Sequence, residues 1–357
     1  VDGALLWRAL VSPEILRGLN GAQLSDLLRL AWGQGVIYRL ALGVERCGLA
    51  DALPTQVAGA LADLAIEARY NARRLRWEID RIASALYGAQ YPILLLKGAA
   101  YQAADFELAA GRIASDVDIL VPQAHLKACE EALIEAGWAF EAKTQYDDHY
   151  YREWMHELPP MRHQTRRTII DVHHTVVPPV ARITPDVGAF FSGAAEVSAI
   201  PLKRPSLADM VIHSALHCFY DGDFTTNIRA LLDLHDLFKL GLEADSGFID
   251  AVIARSARHE AGRPVADALR TLSWLDAITL EADAQHFVND QARIWPVQAV
   301  FDWSVGQRTL AVRPFKRSDP WLARKILYVR SHWITMPPVM LLKHLGTKAV
   351  MRLKGQA

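Results

Sequence analysis

The chain has 357 residues, 39 Lys and Arg against 40 Asp and Glu, and 51% apolar residues. That balance excludes a disordered or low-complexity chain and leaves room for one large domain or two to three small ones. No stretch reaches the roughly 18 uncharged apolar residues of a spanning helix.

Residues 1 to about 90 read as helices. Ser12-Pro13-Glu14 has the pattern of a helix start, with a capping hydroxyl, Pro at the first helical position and an acid in the first turn. After Pro54, apolar residues recur at helical spacing from Val57 to Leu86, which predicts one long amphipathic helix with Arg69, Arg73, Arg74, Arg76 and Arg81 on its outer surface.

The pattern changes at Tyr91. Ile93–Leu96 reads as a short buried strand ended by Lys97-Gly98, and Ala99–Phe106 as a short helix. A strand follows over Ile113–Pro122, an amphipathic helix over Ala124–Ala136 closed by Gly137, and a strand over Trp138–Lys143. Tyr146–His163 is aromatic-rich and reads as irregular or as a hairpin; its aromatics suit an acceptor side of a site or plain surface packing. Arg167–His173 is β-rich again. From Pro205 helices return, clearest over Ser206–Tyr220, Thr225–Leu240, Phe248–Glu260, Pro264–Trp274 and Trp321–Trp333.

The neutral total hides an asymmetry. Eleven basic residues and one acid lie between Arg308 and the C-terminus, so this tail carries +10 and the remainder −11. The favoured reading is a solvated face; the alternative, on Pro337-Pro338 and the basic amphipathic stretch after it, is contact with an anionic membrane or an acidic partner. Three scattered cysteines, Cys47, Cys129 and Cys218, give no disulfide framework. The first residues, with Asp2 and Arg8, contain no signal-type apolar segment. A cytoplasmic location is the expectation.

The chemistry concentrates in Lys97-Gly98-Ala99, Arg112 through Asp118, and Asp171. Strand alternation puts Asp116 and Asp118 on one side and Val117 on the other. Two neighbouring carboxylates repel unless a cation sits between them. Such hard oxygen ligands suit Mg²⁺, which binds through one or two carboxylates plus phosphate oxygens. A strand ending at Gly98 before a helix offers backbone N–H groups to an anion. With Asp171 on a later strand, the set fits phosphoryl or nucleotidyl transfer. Asp221-Gly222-Asp223 repeats the acidic spacing between two helical patterns and reads as a turn. His213 and His217 have the four-residue spacing of zinc ligands, but no third ligand is evident and helix packing is favoured. His173 shares the face of Asp171 and leans either on that site or on structure alone. Walker, Rossmann and Gly-x-Ser-x-Gly patterns are absent.

At these residues the chain resembles the nucleotidyltransferase superfamily of polymerase-β type, and within it a bacterial, largely uncharacterised subfamily. The resemblance rests on Leu95-Leu96-Lys97-Gly98-Ala99, on Arg112-x-x-x-Asp116-x-Asp118, on Asp171-x-His173, and on a helical stretch like His213-x-x-x-His217 followed by Arg229-x-x-x-Asp233. It covers roughly residues 60–240. It implies an α+β fold: a small mixed β-sheet nucleotidyltransferase core over 91–200, an N-terminal helical region over 1–90, and a C-terminal helical region with the basic tail over 201–357.

The resemblance also implies roles. Asp116, Asp118 and Asp171 would ligate two Mg²⁺ ions, and Asp171 would help deprotonate the acceptor. Gly98 and Ala99 would cradle the triphosphate, with Lys97 and Arg112 neutralising its charge and Ser115 at the same nucleotide site. Many members have Gly-Ser or Gly-Gly at the turn, so the hydroxyl contact to phosphate is missing here. The expected activity is transfer of NMP from an NTP, ATP or GTP, to a hydroxyl of a peptide, protein or small molecule. Nucleic acid is not favoured as acceptor, because the acidic body lacks a broad basic face. The alternatives are γ-phosphate transfer on the same fold and a non-catalytic nucleotide-binding module.

Overall fold

A computed structural model describes residues 1–141, 145–198, 200–221, 227–310 and 321–337, the side chains at 145–147, 221 and 227 excepted. The chain starts in helices. Asp2 caps α1 (Gly3–Val11) by accepting from the Leu5 N–H at 3.0 Å. Asn20 and Gln23 form a reciprocal capping box at the start of α2 (Gly21–Gly33). Ser12 does not act as a cap: Pro13–Gly18 forms only a short 3₁₀ turn, and the serine makes no capping hydrogen bond. After α3 (Ile37–Arg46), the periodic stretch beyond Pro54 becomes α4 (Thr55–Ala85), a single helix of 31 residues. It buries Leu61, Ala65, Ala68, Ile79 and Ile82.

Chain order then runs β1 (Leu94–Leu95), α5 (Lys97–Ala103), β2 (Asp116–Leu120), α6 (Leu126–Glu135), β3 (Trp138–Phe140), α7 (Gln145–Trp154), β4 (Met161–His163), β5 (Ile169–His173), α8 (Val187–Ser192), β6 (Ala195–Glu196) and β7 (Lys203–Arg204). Among the described residues these seven strands form one sheet in the order β3-β4-β5-β2-β1-β7-β6. β1 pairs antiparallel with β2 and parallel with β7; β2 pairs parallel with β5. The fold is α+β, as the sequence predicts.

α7 and β4 differ from expectation. The segment after residue 144 is neither irregular nor a hairpin but a helix. Tyr146, Tyr150, Tyr151 and Trp154 recur at helical spacing, a period masked by the dense charge between them. The helix is tied by Arg152, which binds Asp148 one turn back at 3.1 Å and Glu130 of α6 at 2.9 Å.

One face of the central strands is apolar. Val117 and Ile119 of β2, with Ile170 and Val172 of β5, are at most 2% exposed. Each such side chain contributes about 1.5–3 kcal/mol by leaving water. This packing fixes the strand register and thereby turns Asp116, Asp118, Asp171 and His173 to the opposite face.

The remaining helices are α9 (Leu207–Ala215), α10 (Asn227–Ala244), α11 (Phe248–Arg258), α12 (Gly262–Trp274), α13 (Ala282–Asp290), α14 (Val297–Thr309) and α15 (Trp321–Thr335). A π-helical turn, Leu216–Asp221, extends α9. Among the described residues no helix is long and apolar enough to cross a membrane. Most of the basic tail, including everything from residue 338, and the turn expected at Asp221-Gly222-Asp223 lie outside the described residues. Arg330, within that tail, is not a solvated charge: its guanidinium stacks 4.7 Å from the Phe301 ring centre.

Candidate active site

The central relationship is a register match. β2 and β5 run parallel with Asp116 opposite Ile169 and Asp118 opposite Asp171. Paired residues on neighbouring strands share a face, so all three predicted carboxylates lie together on one side of the sheet. Asp118 is buried, whereas Asp116 and Asp171 are half-buried.

β1 brings the next group. The Leu96 N–H donates to the Asp118 carbonyl at 2.9 Å, so the strand ends level with the carboxylates. Lys97 then takes φ = 46°, in the left-handed region, and opens α5. A non-glycine residue there stores about 1–2 kcal/mol of strain. The turn aims Lys97 Nζ at Asp118 Oδ1, 2.7 Å away. Burial pulls the ammonium's pKa down, but Asp118, Glu157 and Asp116 outweigh it and hold it above its ordinary value. Burial likewise pushes the Asp118 carboxyl up, and the Lys97 charge together with a hydrogen bond from His173 leaves it well below the usual carboxylate range.

Gly98 and Ala99 are buried in the first turn of α5. The absent Cβ of Gly98 has a specific use: a methyl group there would lie 2.2 Å from Arg112 Nη1. The glycine therefore makes room for a guanidinium. Arg112 donates from Nε to Asp233 of α10 at 2.9 Å and lies 5.7 Å from the centre of the Tyr101 ring. Its loop is set by Gly111, which has φ = 79° and whose Cβ would meet the Arg39 backbone of α3 at 2.8 Å. Arg229 of α10 is half-buried; burial and then the Arg112 charge pull its pKa down, against the pull of Asp233 and Asp116. Ser115 is exposed at the edge of β2.

The structure thus gathers Lys97, Gly98, Ala99, Arg112, Asp116, Asp118 and Asp171 on one side of the sheet. Lys97 is ion-paired rather than solvated. His213 is buried against Phe190, with ring centres 6.5 Å apart, while His217 is exposed on the π-helical turn. Among the described residues these two histidines join no group of three metal-type ligands. Desolvation, then the Lys97 charge, holds both imidazoles well below their ordinary pKa.

Sequence reasoning assigned no role to His156 and Glu157, because no period or motif marks them. Glu157 reaches the site through an isolated antiparallel bridge to His173. It also assigned none to Arg229 and Asp233, although their four-residue helical spacing was visible and is what lets both reach one cleft.

With this geometry in place, a comparison with family models matches residues 20–275 to a family described as uncharacterised nucleotidyltransferase. The chain belongs to this nucleotidyltransferase family. The matched span contains every residue of the carboxylate cluster, the Gly98 turn and the arginines on α10 and before β2. A search of curated proteins returned no significant match.

Proposed function

We propose that the protein is a Mg²⁺-dependent enzyme that moves NMP from an NTP, ATP or GTP, to the hydroxyl of a peptide or small molecule, with pyrophosphate as leaving group. The observation that carries this reading is the pairing of Asp118 with Asp171 on one sheet face, two residues from Asp116. The donor set is made only of carboxylate oxygens, which fits a hard divalent ion. Asp116, Asp118 and Asp171 would hold two such ions. When bound, these supply charge neutralisation for the triphosphate and acidify the acceptor hydroxyl.

The chain's own groups do the rest. Lys97 and Arg112 bring positive charge to the phosphates, each already poised by a carboxylate, Asp118 and Asp233. The amides of Gly98 and Ala99, in the first helical turn, are free of intrahelical partners and bind phosphate oxygen. Asp171 orients the acceptor and takes its proton. Catalysis of this kind is positioning and electrostatics.

The test is label transfer. Purified protein with Mg²⁺, candidate acceptors and NTP labelled at the α or the γ position transfers the α label and releases pyrophosphate. Transfer of the γ label instead identifies a kinase. Asp116→Asn and Asp171→Asn variants that transfer as well as the wild type defeat the assignment.

A further inference from the structure

The face that carries Asp118 holds a second set of donors that nucleotidyl transfer does not use. His173 lies two residues beyond Asp171 on β5 and is fully buried. Its Nε2 stands 3.1 Å from Asp118 Oδ1 and 3.3 Å from Glu157 Oε2. His156 Nε2 lies 3.9 Å from the same Glu157 oxygen. One ligand atom each from His156, Glu157 and His173 falls within 4.8 Å of the others.

The His173–Asp118 spacing is a hydrogen bond, but those about Glu157 are close to the spacing of neighbouring ligands on a tetrahedral ion. Metal–ligand bonds of about 2.0–2.1 Å place neighbouring ligand atoms roughly 3.3 Å apart, and two imidazoles on one such ion have ring centres roughly 5 Å apart. The His156 and His173 ring centres are 5.1 Å apart. His156 supplies an independent sign. It is 9% exposed, its Nδ1 has no hydrogen-bond partner, and its Nε2 faces Glu157 from beyond hydrogen-bond reach. A buried imidazole aimed at a carboxylate without bonding it is accounted for by an ion between them.

We propose that His156, Glu157 and His173, with water as the fourth ligand, form a binding site for a Zn²⁺-class divalent cation. Two imidazole nitrogens beside one carboxylate oxygen favour such an ion over Mg²⁺, which takes oxygen ligands in octahedral array. With an ion bound, His173 Nε2 gives up its 3.1 Å hydrogen bond to Asp118 Oδ1, which keeps Lys97 Nζ at 2.7 Å as its partner. The site requires nothing of the nucleotide chemistry and stands or falls separately from it.

The test is Co²⁺ titration of chelator-treated full-length protein without nucleotide or Mg²⁺. One Co²⁺ per chain binds with the intense visible absorption of a four-coordinate ion, and Zn²⁺ displaces it. His156→Ala and Glu157→Gln each weaken binding at least about tenfold. Asp116→Asn and Asp171→Asn leave it unchanged, even though they abolish transfer. Glu157→Gln preserves shape, and its melting curve separates a lost ligand from a lost fold. A pale six-coordinate spectrum, absence of stoichiometric binding, a band that survives both ligand substitutions, or a band lost in Asp171→Asn overturns the proposal.

Discussion

Asp118 of β2 and Asp171 of β5 are register partners on adjacent parallel strands, facing the same side of the sheet. Nothing in the main chain between them can neutralise two carboxylates, so their proximity is maintained by the apolar packing on the reverse face and answered by cations on the front. Lys97 is the one that touches Asp118 directly, at 2.7 Å. The pairing makes Asp171→Asn the sharpest substitution at the site. It removes one charge from a ligand set without changing volume. Turnover falls about a thousandfold, the scale of losing one metal-held interaction of several kcal/mol. Steady-state kinetics checks this, with circular dichroism confirming an intact fold.

Among the described residues, Lys97→Met leaves buried Asp118 with His173 as its remaining side-chain partner. Breaking an ion pair from one side costs about 3–5 kcal/mol when the pair is fully buried. Lys97 retains 22% side-chain exposure, so about 2 kcal/mol is expected here. The double variant Lys97→Met/Asp118→Asn regains most of that stability and none of the activity. Urea unfolding of the four proteins in the cycle measures the coupling.

Gly98→Ala and Gly111→Ala separate a yielding neighbour from a rigid one. At Gly98 the obstacle is the end of the Arg112 side chain, which can move, but only by leaving Asp233. That costs about 1–2 kcal/mol and raises KM for the NTP. At Gly111 the obstacle is backbone of Arg39, and φ is 79°. Neither can adjust cheaply, and the loss exceeds about 2 kcal/mol. Thermal melts rank the two variants, with Gly111→Ala the less stable.

Acid sensitivity follows from the histidines. Burial holds His156, His173 and His213 below their ordinary pKa, so the folded chain keeps them neutral while the unfolded chain protonates them near pH 6.5. The unfolded state therefore binds more protons below that pH, and stability rises with pH through this window and is lost as pH falls. About 1.4 kcal/mol per pH unit is the upper limit of the slope from one such group. Denaturant midpoints measured from pH 7.5 to 5 decline steadily, and His156→Gln makes the decline shallower.

Much of the site was legible because its residues obey short-range rules. Period two placed Asp116 and Asp118 on one face, and helical period three to four announced α4 across thirty residues. The pairing of Asp171 with Asp118 is long-range, yet β-rich flanks and the family resemblance pointed to it. Other features depend on tertiary packing. The helix at 145–154 carries a helical aromatic period that its charges mask, and Arg152 reaching Glu130 of α6 seats it. Gly98 reads as a phosphate turn, and only the fold reveals that Arg112 fills the space above it. Glu157 enters the site through a bridge to His173 flanked by the His174 N–H donating to the His156 carbonyl at 2.9 Å, a long-range contact that no periodicity could forecast.

The most direct test of the carboxylate triad is calorimetric binding of a non-hydrolysable NTP analogue to the wild type, Asp116→Asn and Asp171→Asn, each with and without Mg²⁺. The account predicts that Mg²⁺ strengthens binding to the wild type and that this gain shrinks or vanishes in both variants. Equal Mg²⁺-dependent binding in all three proteins would contradict it.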